Sequence, residues 1–390
     1  MFNFIKKKRK IKVFFLCQYK QGYNKIVDVI EKMKNDNSID VKVLAIPDDI
    51  TKFPRNDDFD FWYSKFGNIT VNAIENNKWF NLKNEKPDYI FIQRPYDNYL
   101  PNEYQVPTLK EYSKICYIPY AFELISFRDV AMPDFFVKNM NIIFCTNSEE
   151  YNYCNNIMES ANDGIERHAY DLGYPSLYNV VLKAKESNSA FSKIDNKVNF
   201  NIIWTPRWTT DDNLCKTSFF DYKDYFVEYV KKSKDINFVF RPHPLTFNNF
   251  IKEKLMTKKE VNEYLNNYKK FNMYYDLDSD YYDTFANSDI LITDYSSVII
   301  EYFMFNKPII YCYRENEKET ELFKNMKKSF YCVNSWDELK KVLEKLKKGI
   351  DPLKGKRKIV LTKLLKQYNE DVSLKIINEL KNDYFKLKSI

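Results

Sequence analysis

The sequence predicts an α/β protein built as two Rossmann-like domains with parallel sheets facing a central cleft. Three observations carry that prediction. Short apolar runs alternate with helix-length segments along the 390 residues. Most of these runs are continuously apolar rather than alternating, which is the pattern of strands buried on both faces. The runs also fall into two series separated by a polar stretch, so each series makes its own sheet with helices as crossovers.

The first series is Ile11–Cys17, Val41–Ile46, Tyr89–Gln93, Ile115–Ile118 and Ile142–Thr146. The second is Phe200–Thr205, Asn237–Arg241, Ile290–Thr293, Pro308–Cys312 and Ser329–Val333. These place an N-terminal domain at 1–180 and a second domain at 198–356. Between them, Val181–Lys197 is polar and weakly periodic and reads as the linker, preceded by the turn Gly173-Tyr174-Pro175. Ser335-Trp-Asp-Glu338 is a capping box opening a helix to about Lys347. Residues 357–390 read as terminal helices that pack back onto the first domain.

Composition narrows the class. Apolar residues make up 44% of the chain, enough for two cores, and the net charge is +7. The basic residues are dispersed apart from Lys6–Lys10 and Lys354–Lys358, which suit a solvated face or an anionic membrane surface. No clustered basic-aromatic strip appears, so nucleic acid is not an expected partner. The seven cysteines form no CxxC pair and several sit inside apolar runs, as expected of reduced, buried thiols in the cytoplasm. No run reaches the roughly 20 apolar residues that span a bilayer. The expected location is cytoplasmic, with peripheral contact at the inner face of the membrane.

Chemistry concentrates at strand ends, where open α/β sheets bind ligands. Arg241-Pro-His243-Pro244 ends one strand. His243 is one of only two histidines, and the flanking prolines restrict its backbone. An imidazole beside an arginine can meet charge on a leaving phosphate; a helix-capping turn is the plainer alternative. Asp294-Tyr-Ser296-Ser297 ends a second strand at a helix start, where hydroxyls, free N–H groups and the helix dipole suit an anion. Ordinary N-capping by serine is the alternative there. Glu301, one turn on, is placed to accept hydrogen bonds from ribose hydroxyls. Thr205-Pro206-Arg207 ends a third strand and adds Thr205 and Arg207 to the donor side.

In the first domain, Gln93-Arg94-Pro-Tyr-Asp97 and Tyr117-Ile-Pro-Tyr-Ala-Phe-Glu123 follow two strands. Asp97 and Glu123 are the carboxylates available to deprotonate an acceptor hydroxyl. His168 reads as structural. Asp57-Asp58 and Asp276-Leu-Asp278-Ser-Asp280 read as solvated loops rather than a metal site. The six scattered glycines supply neither a dinucleotide fingerprint nor a phosphate-binding loop.

Together, Arg241-Pro-His-Pro244, Asp289-Ile-Leu-Ile-Thr-Asp-Tyr-Ser-Ser297, Glu301 and Lys307-Pro308 resemble the CDP-glycerol glycerophosphotransferase family of teichoic-acid and capsule synthesis, over roughly residues 165–375. The resemblance implies a GT-B fold, no cofactor and no metal. It implies a CDP-glycerol or similar CDP-polyol donor and an acceptor hydroxyl on a cell-surface glycan or lipid-linked precursor. It assigns Arg241 and His243 to the pyrophosphate, Ser296 and Ser297 to phosphate oxygens, and Glu301 to ribose or glycerol hydroxyls. One departure stands out: members of the family carry a His-Gly motif in the first domain, whereas this chain has no histidine before His168. Either Asp97 or Glu123 replaces that imidazole as base, with His243 completing the catalytic set, or the acceptor differs, or activity is lost. Two alternatives keep the same fold: a glycosyltransferase using a nucleotide sugar, and a non-catalytic nucleotide- or glycan-binding partner in capsule assembly.

Overall fold

The computed structural model describes residues 9–124, 128–177, 180, 189–194, 200–212, 216–268, 271–314, 318–368 and 370–386. The chain divides into two compact units. The first comprises Met1–Ala121, Phe127–Ser176 and Glu370–Ile390; the second comprises Phe122–Ser126 and Leu177–Asn369. Most of the expected linker, residues 181–188 and 195–197, lies outside the described residues.

The first unit holds a parallel sheet in the order β3-β2-β1-β6-β7-β8-β9. Its strands are β1 (Ile11–Cys17), β2 (Ile39–Ala45), β3 (Thr70–Asn72), β6 (Tyr89–Ile92), β7 (Lys114–Tyr117), β8 (Ile142–Cys145) and β9 (His168–Asp171). β4 (Ile74–Glu75) and β5 (Lys78–Trp79) form a small antiparallel ribbon. Every residue of β6 and β8 is buried, as their apolar runs require. Helices α1 (Tyr23–Lys34) and α2 (Ser148–Glu159) are crossovers. Asn147 caps α2 by accepting from the Glu150 N–H at 2.9 Å.

The terminal helix α9 (Val372–Lys386) belongs to this unit. It buries Ile376, Ile377 and Leu380 in the core cluster shared by α1 and the strands of this sheet. Asp383 accepts from the Tyr89 hydroxyl and pairs with Lys114 at 2.8 Å, and Lys32 pairs with Asp371 at 2.8 Å.

The second unit holds a parallel sheet in the order β12-β11-β10-β13-β14-β15. Its strands are β10 (Asn201–Thr205), β11 (Asn237–Phe240), β12 (Met273–Tyr275), β13 (Ile290–Thr293), β14 (Ile309–Cys312) and β15 (Tyr331–Val333). Helices α3 (Phe219–Lys232), α4 (Thr246–Lys252), α5 (Tyr282–Asn287), α6 (Ile299–Phe303), α7 (Trp336–Lys347) and α8 (Lys354–Tyr368) cover it. Trp204 anchors an aromatic core, stacked on Phe219 at 5.6 Å and packed on Phe226 and Phe240. Ser335 caps α7 as expected by accepting from the Glu338 N–H, whereas the Glu338 carboxylate accepts at 2.8 Å from the N–H of Asn334, one residue before the cap, so the reciprocal bond of a capping box is displaced by one residue.

In both sheets the chain reverses its direction of growth beside the first strand, between β1 and β6 and between β10 and β13. Such reversals open a crevice at the carboxyl ends of the two strands. Among the described cysteines, Cys17, Cys116, Cys145, Cys154 and Cys312 are buried and Cys332 is exposed.

Candidate active site

At the β10–β13 reversal Thr205 lies opposite Thr293 in register. Their hydroxyls meet at 3.1 Å, and Thr205 is buried. Its hydroxyl therefore joins the two strands rather than reaching for a ligand, which corrects the expectation from its strand-end position.

Asp294 is also a tie. It is fully buried and accepts from the Arg207 N–H at 2.6 Å and from the Ser218 N–H and hydroxyl at 2.7 Å. Burial holds its carboxyl above the ordinary carboxylate range, although these donors favour the charged form. Asp294 thus fastens the loop after β10 to the start of α3. Ser218, which the sequence reading missed, is 76 residues away in the chain and carries no local signal. Arg207 is half-buried, with its guanidinium 4.6 Å from the Tyr295 ring.

Ser296 and Ser297 do not cap the helix. α6 starts at Ile299 with Val298 in the N-cap position and no side-chain cap. It has five residues, too short for a substantial dipole. Among the described residues neither serine hydroxyl has a hydrogen-bond partner, and both side chains are half-buried. They remain open to an oxyanion.

Arg241 follows β11. It donates to Asp276 Oδ2 at 2.7 Å and to the Asp278 carbonyl at 2.6 Å, and lies 4.7 Å from the Tyr281 ring. Asp276 is fully buried. The acidic loop read as solvated is therefore part of the site, because the carboxylate that follows β12 is needed to fix the arginine that follows β11. Tyr281 continues the network by donating to Glu301 at 2.6 Å, and Tyr282 donates to the other oxygen at 3.3 Å. Glu301 is fully buried, so its carboxylate serves these phenols, not an open surface facing ribose.

The His243 Nδ1 accepts from the Leu245 N–H at 3.2 Å, which leaves Nε2 as the donor of the neutral ring. Burial, with the charge of Arg207 added, pulls its pKa down to about 4. The imidazole is neutral at pH 7, so the positive charge at these strand ends comes from Arg241 and Arg207. Lys307 is not a ligand group. Its ammonium donates to the carbonyls of Phe285, Ala286 and Ser288 and closes the carboxyl end of α5.

In the first unit Asp97 is half-buried, and its carboxylate oxygens accept from the Val106 N–H at 3.2 and 3.3 Å. Burial raises its pKa. Glu123 was expected in the first domain, but its segment groups with the second unit. There the neighbouring Leu124 carbonyl accepts from the Thr320 N–H and hydroxyl, both at 3.0 Å. The two carboxylates thus belong to different units. His168 lies on the edge strand β9, 2.9 Å from Glu166. Glu166, His168 and Asp383 come within reach of one cation, but the Lys114 ammonium already sits 2.8 Å from Asp383.

At the reversal of the second parallel sheet the ends of adjoining strands carry Arg241, Arg207, His243, Ser296 and Ser297, residue types that suit a phosphate in an α/β transferase. Residues 138–382 match the family model of CDP-glycerol:poly(glycerophosphate) glycerophosphotransferase, and the chain belongs to that family. It is a glycerophosphotransferase of GT-B-like fold.

Solved structures agree on the fold. The wall teichoic acid polymerase TagF is 15% identical, with 97% of this chain and 90% of that chain covered and a TM-score of 0.59. A putative UDP-N-acetylglucosamine 2-epimerase from Listeria monocytogenes is 10% identical over 97% of both chains, with a TM-score of 0.60. The UDP-GlcNAc 2-epimerase from Neisseria meningitidis bound to UDP-GlcNAc is 14% identical, covering 91% of this chain and 100% of that chain, with a TM-score of 0.56. No curated protein sequence matches.

Proposed function

We propose that the crevice of the second unit binds the diphosphate of CDP-glycerol and that glycerol phosphate passes to a hydroxyl of a teichoic-acid-type glycan or a lipid-linked precursor. The observation that supports this reading is that Arg241, Arg207, His243, Ser296 and Ser297 all follow the carboxyl ends of adjoining strands of one parallel sheet. Arg241 and Arg207 neutralise the diphosphate. Ser296 and Ser297 hold phosphate oxygens. Asp294, Thr205 and Glu301 act through the residues they position.

The acceptor oxygen attacks the β-phosphorus, the bond from that phosphorus to the CMP oxygen breaks, and a phosphodiester forms. The hydroxyl proton goes to a carboxylate, for which Asp97 is the first choice because burial has raised its basicity; Glu123 is the second. The charge on departing CMP is met by Arg241 and a hydrogen bond from His243. Catalysis comes from positioning and electrostatics. The test is CMP release from CDP-glycerol, with CDP-ribitol and nucleotide sugars in parallel. CDP-glycerol-dependent release lost in His243→Ala is the expected result; preference for a nucleotide sugar overturns the reading.

We place the protein in the cytoplasm, in peripheral contact with the inner face of the membrane, where a lipid-linked acceptor would be met. No helix among the described residues is long and apolar enough to cross a membrane. The support is the outer face of α8. Lys354, Lys356, Lys358 and Lys363 are exposed there without a carboxylate partner among the described residues, and Ile359 between them is 62% exposed.

A further inference from the structure

The loop after β10 carries an aromatic residue that the transfer chemistry above does not use. Trp208 stands four residues beyond Trp204, and His243 three beyond Phe240; Trp204 and Phe240 are partners in register on the adjacent parallel strands β10 and β11. The two side chains meet beyond the carboxyl ends of those strands. Their ring centroids are 5.7 Å apart and their planes are tilted by 33°. Attractive ring pairs keep a separation of roughly 4.5–7 Å, so this is a packing contact. Trp208 is half-buried and lies outside the aromatic core built on Trp204, Phe219 and Phe240. Filling that core does not account for it.

The backbone that carries the indole is fixed on both sides. Before it, the Arg207 N–H donates to the buried Asp294 at 2.6 Å. After it, the carbonyl of the buried Thr209 accepts from the Thr217 N–H at 2.8 Å. The carbonyl of Trp208 itself accepts from Asn249 Nδ2 at 3.2 Å. Asn249 belongs to α4, the helix that starts just after His243. There the His243 carbonyl accepts from the Thr246 N–H at 2.9 Å, and the ring Nδ1 from the Leu245 N–H at 3.2 Å. Asn249 thus ties the loop of the indole to the helix start that holds the imidazole. The Leu245 bond selects the tautomer with the proton on Nε2. A hydrogen bond at the long end of the range restrains a ring weakly, and a second ring packed beside it limits how far it swings.

We propose that Trp208 is a positioning residue for His243: its indole holds the imidazole in the orientation and tautomer set by the Leu245 N–H, so that Nε2 keeps its proton for the leaving phosphate. The consequence for transfer rests on the CDP-glycerol reading; the restraint of one ring by the other does not.

The test is NMR of the full-length protein carrying isotope-labelled histidine. The chain has only two histidines, so the ring signals are assigned with His168→Gln. At pH 7 the wild-type His243 nitrogen shifts should report a protonated Nε2 and an unprotonated Nδ1. In Trp208→Ala they should move towards the averaged values of a free imidazole while His168 stays put, and Trp208→Phe should restore most of the wild-type pattern. In CMP release from CDP-glycerol, kcat should fall about tenfold in Trp208→Ala, with KM changed less than about twofold and most of kcat recovered in Trp208→Phe. Should Trp208→Ala fail to fold, Trp208→Leu carries the test, because it keeps apolar bulk and loses the ring. Unchanged His243 signals overturn the proposal, as does an unchanged kcat in the active enzyme. A rise in KM alone also overturns it, since the indole would then be a substrate contact. A wild type that does not turn over CDP-glycerol counts against the donor reading, and the His243 signals then decide the restraint by themselves.

Discussion

Arg241 and Asp276 form a 2.7 Å ion pair in which the carboxylate has no exposed surface. The pair joins the ends of the adjacent strands β11 and β12, and it orients the arginine without help from substrate. Removing one partner of a buried pair strands the other charge, at a cost of roughly 3 kcal/mol. Asp276→Ala is expected to lose about that much in denaturant unfolding and to weaken CDP-glycerol binding. An Asp276→Ala protein with unchanged stability and affinity would show that Arg241 is held by other means.

His243 gives a pH signature. Its folded pKa of about 4 lies below the ordinary histidine value of 6.5, so the unfolded chain binds the extra proton first as pH falls. This residue therefore favours the native state above about pH 6.5, and its contribution is lost as pH falls from there towards 4, by on the order of 2 kcal/mol. In unfolding measurements across that window, His243→Gln should flatten the slope. A bound diphosphate should raise the pKa, so CDP-glycerol binding near pH 5 should take up a proton, which calorimetry in buffers of different ionisation enthalpy detects.

Tyr281 joins Arg241 to Glu301, with its ring near the guanidinium and its hydroxyl on the carboxylate. Tyr281→Phe keeps the ring and removes the hydrogen bond to a buried carboxylate, an expected loss of about 2 kcal/mol in stability. KM for CDP-glycerol should rise severalfold. Equal kinetics in Tyr281→Phe would confine the phenol to a folding role.

How much of this was legible follows from burial. β6, β8, β11 and β13 are buried at every residue and announce themselves as apolar runs. The edge strands β3, β9 and β12 are half-buried and only three or four residues long, so Thr70–Asn72, His168–Asp171 and Met273–Tyr275 gave no such signal. At the site, Arg241 and His243 could be read because prolines and a strand end mark them. Asp276 could not, since an acidic loop has the same composition in solvent as when one carboxylate turns inward. Glu301 sat correctly on its helix, but its tyrosine partners depend on tertiary packing. Glu123 follows a strand of the first sheet, and nothing local indicates that its segment packs with the second unit.

The Lys307-Pro308 pair was part of the family resemblance, and its lysine proves to be a helix terminator. The ammonium closes three carbonyls around the end of α5, the helix that begins with Tyr282. Lys307→Met keeps the buried stem and removes the donors, with an expected loss of about 1–2 kcal/mol by chemical unfolding. Affinity for CDP-glycerol should fall through displacement of Tyr282 and Glu301. A variant as stable as wild type would mean that the carbonyls find other donors.

The outer face of α8 yields the last prediction. The helix buries Arg357, Leu361 and Leu364 on one side. Around the exposed Ile359, the sequence from Lys354 to Tyr368 carries no acidic residue. Each lysine near an anionic bilayer contributes about 1 kcal/mol, and an inserted isoleucine adds an apolar term that a soluble polyanion would not reward. Wild-type protein should co-sediment with vesicles containing phosphatidylglycerol, less so as salt rises, and not with neutral phosphatidylcholine vesicles. Lys356→Glu with Lys363→Glu should remove most of the binding, and Ile359→Ser a smaller part, while CDP-glycerol affinity stays unchanged. Vesicle binding that survives all three substitutions would move the contact to another surface, with the basic N-terminal segment at Lys6–Lys10 as the next to test.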